Sequence, residues 1–144
     1  MTATNDATTA AISTTIEHVV HIDAAPATVF ELWTTAAGLC AWWGVSATVD
    51  PHPGGAIRVD IDGEHVMVGE IVEAEPPRRL RFTFGWEGGE LPPGSTEVDV
   101  VIDEIAHDRS RLTLRHHGLP VEFVESHVRG WTHFVGTRLP GVAR

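Results

Sequence analysis

Residues 120–139 limit the folds open to this chain more than any other stretch. Wound on a helix at about 100° per residue, Val121, Val124, Val128, Trp131, Val135 and Leu139 fall in one stripe. Phe123, His127, Phe134 and Arg138 fall in a second stripe beside it, and Glu122, Glu125, Arg129, Thr132 and His133 lie opposite. The apolar arc therefore covers close to half the helix circumference. A helix resting on a flat sheet needs a narrower stripe; a helix gripped by a strongly curved sheet needs about this much. His127 lies inside the arc, where a polar ring must find a protein partner or face a cavity. Arg138 lies there too, near enough to the helix end to reach solvent or the last carbonyls.

The rest of the chain supplies the sheet. "IEHVVHID" alternates and is rich in Val and Ile, which predicts a first strand over 16–23. In "APATVFELWTT", Pro26 suits a helix start, and Val29, Phe30 and Trp33 share one face. A second short helix is predicted over 36–43, closed by Gly44. "SATVDPHPGG" is broken by two prolines and reads as an edge strand. "AIRVDIDGEHVMVGEIVEAE" reads as a hairpin with a tight turn at Asp62-Gly63 and a bulge at Gly69. Leu80, Phe82, Phe84 and Trp86 alternate with Arg81 and Thr83, and two further alternating strands follow a Gly/Pro loop. Strand, two helices, about six short-linked strands and one long helix make an antiparallel sheet of the α+β class.

The 144 residues suit a single domain, expected over 16–144 and preceded by a small, polar, disordered tail over 1–15. The chain holds ten arginines, no lysine and twenty carboxylates, a formal charge of −10. Such a surface repels nucleic acid and anionic membranes. No apolar run is long enough for membrane insertion, the N-terminus has no signal-peptide pattern, and Cys40 stands alone. These features point to the cytoplasm. With no lysine and no tyrosine, any proton chemistry must come from His, Asp, Glu, Cys40 or bound water. Cys40 sits between Leu39 and Ala41 on an apolar helix, as an inert thiol would. No P-loop, GxGxxG, GxSxG, HExxH or CxxC pattern occurs, so no metal and no cofactor is expected.

Two histidines remain as catalytic candidates. His116 alternates with Leu112 and Leu114 and so points inward, while His117 points out. His116 and His127, on adjacent elements, could share a pocket as an acid–base pair or orient a ligand carbonyl. Alternatively both are structural, bonded to each other or to backbone. Trp33, Trp42 and Trp43 crowd the short helices, and Trp86 and Trp131 are expected to face them. Trp131 and Phe82 are the strongest cavity-lining candidates, with Trp33, Phe84, His116, His127 and Phe134 completing the expected ligand-binding set.

In their order, "IDAAPATVFELWT", "WWG", "GEIVEAEPPRRLRFTF", "SRLTLRHHGL" and "HVRGWTHF" resemble the activator of heat-shock-protein-90 ATPase homologue family. That family belongs to the START-like (SRPBCC) superfamily. The resemblance covers about residues 16–140. It implies a helix-grip fold: a curved antiparallel sheet of six to seven strands around a long C-terminal helix, with two short helices after the first strand. Between sheet and helix it implies room for a small apolar molecule, since superfamily relatives bind lipids, sterols or polyketides. Some relatives are cyclases or hydrolases, a role His116 and His127 would carry here. The family name alone implies a third role, acting on a chaperone ATPase. A homodimer is left open. Fold does not choose among these roles.

Overall fold

The alternating stretches form seven strands in the computed structural model, which describes residues 13–143. They are β1 (Ser13–Ile22), β2 (Ser46–Val49), β3 (Ala56–Asp60), β4 (Val66–Glu75), β5 (Arg79–Trp86), β6 (Thr96–Ala106) and β7 (Arg109–Pro120). The spatial order is β1-β7-β6-β5-β4-β3-β2, and every neighbouring pair is antiparallel. Strand alternation sorts side chains by face. Ile57, Val59, Met67, Ile71, Leu80, Phe82, Phe84, Val98, Val100, Ile102, Leu112 and Leu114 point inward and are buried. The outer face carries ion pairs such as Arg79–Asp99 and Arg115–Glu17.

Helices cover the inner face. Helix α1 (Pro26–Thr34) buries Pro26, Val29, Phe30 and Trp33, as its spacing predicts. Helix α2 (Ala36–Trp42) starts at Thr35, whose hydroxyl accepts the Gly38 N–H at 2.9 Å. The C-terminal segment is one winding in four pieces: a 3₁₀ turn at Val121–Phe123, α3 (Val124–His133), a π-helical turn at Phe134–Arg138, and α4 (Leu139–Ala143). It packs against β1 at one edge of the sheet, while α2 packs against β2 at the other edge and touches the C-terminal segment. A sheet whose two edges both reach these helices is curved around them, which is the helix grip.

The structure shifts several expectations. Strand β1 begins at Ser13, where it pairs with Pro120, so residues 13–15 belong to the sheet rather than to the tail. The tail expected over 1–15 otherwise lies outside the described residues. The last helix buries a different line from the one its two stripes suggest. Val121 and Val128 are exposed, at 60% and 42%, and Arg138 is exposed as well. The inward line runs Phe123, His127, Trp131, Val135, Leu139, Ala143, half-buried at first and fully buried from Trp131 on. Steps of four residues drift by roughly 40° per step on an α-helix, and the wider π turn absorbs that drift, keeping Leu139 and Ala143 on the sheet side.

The predicted tight turn at Asp62-Gly63 is a longer loop. Ile61 N–H bonds to His65 O, and only Gly63 takes a positive φ. Two glycines are set by crowding rather than by turn or bulge geometry. A Cβ on Gly44 would lie 2.6 Å from the Asp60 carbonyl oxygen, and one on Gly69 would lie 1.8 Å from that of Thr83. The register shift near Gly69 falls later, between Ile71 and Glu73.

Candidate functional site

One end of the space between sheet and helix is not filled. A cavity of about 340 Å³ is lined by Trp43, His65, Phe84, Trp86, Ser126, His127, Gly130, Trp131 and Phe134. Each element contributes for a local reason. Strand alternation on β5 turns Phe84 and Trp86 to the inner face. On α3, His127, Gly130 and Trp131 fall at i, i+3 and i+4, one side of the helix. Gly130 has nothing within 4 Å of where its Cβ would stand, so this position opens the wall instead of closing it. Trp43, at the end of α2, stacks on Phe84 with ring centroids 6.4 Å apart and meets Trp131 at 5.4 Å.

On this wall the indole N–H groups of Trp86 and Trp131 are bonded to histidines. His116 is fully buried behind Phe84 and Trp131. Its Nε2 meets the Thr96 hydroxyl at 2.9 Å, and that hydroxyl donates to the Phe84 carbonyl at 2.8 Å. The hydroxyl oxygen therefore accepts from His116, which fixes an Nε2–H tautomer. The Nδ1 lone pair then accepts the Trp131 indole N–H at 3.0 Å. Burial, with His127 and His117 nearby, pushes the His116 imidazole down to about 3, so the ring is neutral.

His127 repeats the pattern with the other tautomer. Its Nδ1 donates to the Phe123 carbonyl at 2.7 Å, and its Nε2 accepts the Trp86 indole N–H at 3.0 Å. Burial lowers its pKa, and the bond to Phe123 opposes that shift. The two rings stand edge to face, with centroids 5.5 Å apart. Neither keeps a free nitrogen, so the acid–base pair that the sequence suggests has no lone pair or N–H to offer a substrate.

At the mouth the chemistry changes. His65 sits on the β3–β4 loop with two-thirds of its side chain exposed, edge-on to Trp86 at 6.4 Å. Its Nδ1 meets Asp62 Oδ2 at 2.8 Å. Asp62 Oδ1 also accepts the Glu64 and His65 backbone N–H groups, both at 2.9 Å. Those bonds hold the Asp62 carboxyl down at about 2, and the Asp62 carboxylate raises the His65 pKa. Ser126, also on the lining, donates its hydroxyl to the Phe123 carbonyl at 3.1 Å.

Of the residues expected at a ligand site, Phe84, His127, Trp131 and Phe134 line the cavity. Trp33, Phe82 and His116 do not; they are fully buried behind it. Trp33 and Phe82 belong to the packed aromatic cluster with Trp42 and Trp43. Trp43, His65, Trp86, Ser126 and Gly130 were not expected. Trp86 was legible, as the next inward residue after Phe84. His65 was not, because its place depends on how the loop folds over. A second depression of about 370 Å³ lies among Pro26, Pro77, Arg78, Ile102, Asp103 and Glu104. Its rim is charged and exposed, which suits water better than an apolar guest. Among the described residues, no three His, Cys, Asp or Glu side chains are grouped to hold a metal ion, and no helix is long and apolar enough to cross a membrane.

Comparison with known proteins places this architecture. Residues 23–143 match the family described as activator of Hsp90 ATPase homolog 1-like protein. The solution structure of an AHSA1-like protein of Rhizobium etli is 37% identical, with a TM-score of 0.73, covering 92% of this chain and 82% of that one. A crystal structure of a Chromobacterium violaceum protein is 20% identical at a TM-score of 0.76, covering 90% and 96%. An HSP90 activator from Plasmodium falciparum is 20% identical at 0.68, covering 85% and 91%. The last two likenesses concern the fold alone. Among curated protein sequences, none matches this chain.

Proposed function

This chain belongs to the activator of Hsp90 ATPase homolog 1-like family, and on that premise we propose that it binds a small apolar, aromatic molecule between its last helix and β5. The observation that carries this reading is the cavity of about 340 Å³ walled by Trp43, Phe84, Trp86, Trp131 and Phe134. A volume of this size is in the range of sites for small organic ligands. The indole N–H groups of Trp86 and Trp131 are bonded to His127 and His116, so at these two residues a guest meets ring faces and edges rather than unsatisfied donors. Aromatic walls favour a flat, unsaturated guest, which can stack or meet them edge-on.

The pairing also bears on catalysis. His116 and His127 are committed to Thr96, Trp131, Phe123 and Trp86. Their part in this reading is to hold the two tryptophans that shape the cavity, not to move protons.

The test is a titration of isotopically labelled protein with 7-methoxycoumarin, a flat neutral probe, following the tryptophan indole N–H signals. The indole signals of Trp86 and Trp131 should move. That of Trp42 should stay, since its N–H bonds to the Leu32 carbonyl at 2.8 Å, away from the cavity. Movement of none of them, or of all five equally, overturns the reading.

A further inference from the structure

Resting on the reading of the cavity as a ligand site, we propose that His65 is its polar anchor and that the ligand class is a planar aromatic carrying a hydroxyl group. Few polar atoms on the lining remain free: the Trp43 indole N–H pairs with no described residue, and it can only donate. Among the lining residues, the indole N–H groups of Trp86 and Trp131 and both nitrogens of His127 are taken. The Ser126 hydroxyl hydrogen is directed to Phe123. His65 differs. Asp62 engages its Nδ1 and is itself fixed by two backbone N–H groups, so the ring is oriented with Nε2 unengaged. An imidazole held this way through one nitrogen presents the other for hydrogen bonding or proton exchange.

Charge selects the group that Nε2 would meet. Asp62 faces the ring directly, Glu64 adjoins it, and Asp60 accepts the Gly63 N–H in the same loop. From β5 and its end come Trp86 and then Glu87, which is held by Arg58 at 2.6 Å. From α3 comes only the neutral His127, bonded to Trp86. No arginine lines the cavity. A fixed anion such as a carboxylate would therefore meet carboxylates and a chain of formal charge −10. A neutral hydroxyl on an aromatic ring avoids that repulsion. Its O–H donates to the Nε2 lone pair when His65 is neutral. When the hydroxyl is acidic enough, its proton passes to Nε2, leaving an aryl oxide beside an imidazolium that Asp62 stabilises. One proton moves from oxygen to nitrogen, and no other reactant takes part.

The experiment compares two probes on the full chain, 7-hydroxycoumarin and 7-methoxycoumarin, by fluorescence titration at pH 7.5. The probes share a ring system, and only the first can donate to His65. A net hydrogen bond of about 0.5–1.5 kcal/mol corresponds to roughly two- to tenfold in affinity, and the hydroxyl probe should bind tighter by that factor. In His65→Phe the ratio of the two affinities should fall to about one. In Asp62→Asn the preference should shrink. The absorbance of bound 7-hydroxycoumarin should also show its hydroxyl ionising at lower pH in the wild type than in His65→Phe, a signature that mere packing by His65 would not give. If both probes bind the wild type equally, or if the preference survives in His65→Phe, the anchor is wrong and the cavity reading stands. If neither probe binds, the cavity reading fails and the anchor falls with it.

Discussion

Lowering the pH should destabilise this protein through His116, and the size of the effect follows from its surroundings. The ring is fully buried and both nitrogens are bonded to neutral partners, so a second proton has no acceptor. Its pKa is about 3 in the folded chain, against 6.5 for an unperturbed histidine. Because the folded value is the lower one, the unfolded chain takes the proton first. Stability from this group is intact above pH 6.5 and is lost progressively as the pH falls toward 3. Between pH 7.5 and 5.0, the unfolded state gains about 2 kcal/mol from protonation of this one ring, while the folded state gains almost nothing. His127, also lowered by burial, adds loss of the same sign. His65, raised by Asp62, acts with the opposite sign, but it is exposed and screened. The assay is urea unfolding at the two pH values, read by tryptophan fluorescence, for wild type and His116→Phe. The variant is expected to differ from wild type at pH 7.5, because the Trp131 N–H loses its acceptor. The informative quantity is the change between the two pH values. Wild type should lose about 2 kcal/mol more than the variant. Equal losses would mean that His116 is protonated or solvated in the folded chain, and the neutral-histidine account of the wall would fall.

Other outcomes follow from single contacts. Trp131→Phe keeps most of the ring but leaves the His116 Nδ1 lone pair buried without its donor, at a cost of about 1–3 kcal/mol in unfolding free energy; no cost would show that the bond is not made. Gly130→Ala meets nothing within 4 Å and should raise stability by up to about 1 kcal/mol, the helix-propensity difference; a clear loss would place that wall position in packed protein. Gly69→Ala sets a methyl 1.8 Å from the Thr83 carbonyl oxygen, so the β4–β5 pairing must shift. Its loss should be at least the roughly 1–3 kcal/mol of an overpacked core, and an unchanged melting temperature would contradict the strand register.

Strand alternation and turn chemistry made the sheet legible. Ile57, Val59, Phe82, Phe84, Leu112 and Leu114 all point where period two sends them. The last helix was legible as gripped but not in phase. Its valines at 121, 124 and 128 drew the expected face toward the first stripe, whereas the buried line steps by four residues through His127 and Trp131. A π turn at 134–138 is what permits that line, and nothing in local propensity announces one. His116 and His127 were correctly placed as inward neighbours. Their partners were not foreseeable, because Trp86 and Trp131 reach them across elements 41 and 15 residues away in sequence. The same limit hid His65, whose loop sits against Trp86 only in the folded sheet.

Filling the space over Gly130 shows whether a small aromatic guest occupies it. Gly130→Leu places a branched side chain where no atom stands within 4 Å of the new Cβ, on the cavity wall between His127 and Trp131. Binding of 7-methoxycoumarin should be saturable and one-to-one in the wild type and lost in Gly130→Leu, with the melting temperature of the variant equal or higher. Undiminished binding in a folded Gly130→Leu variant would contradict the account, because the guest would then lie elsewhere.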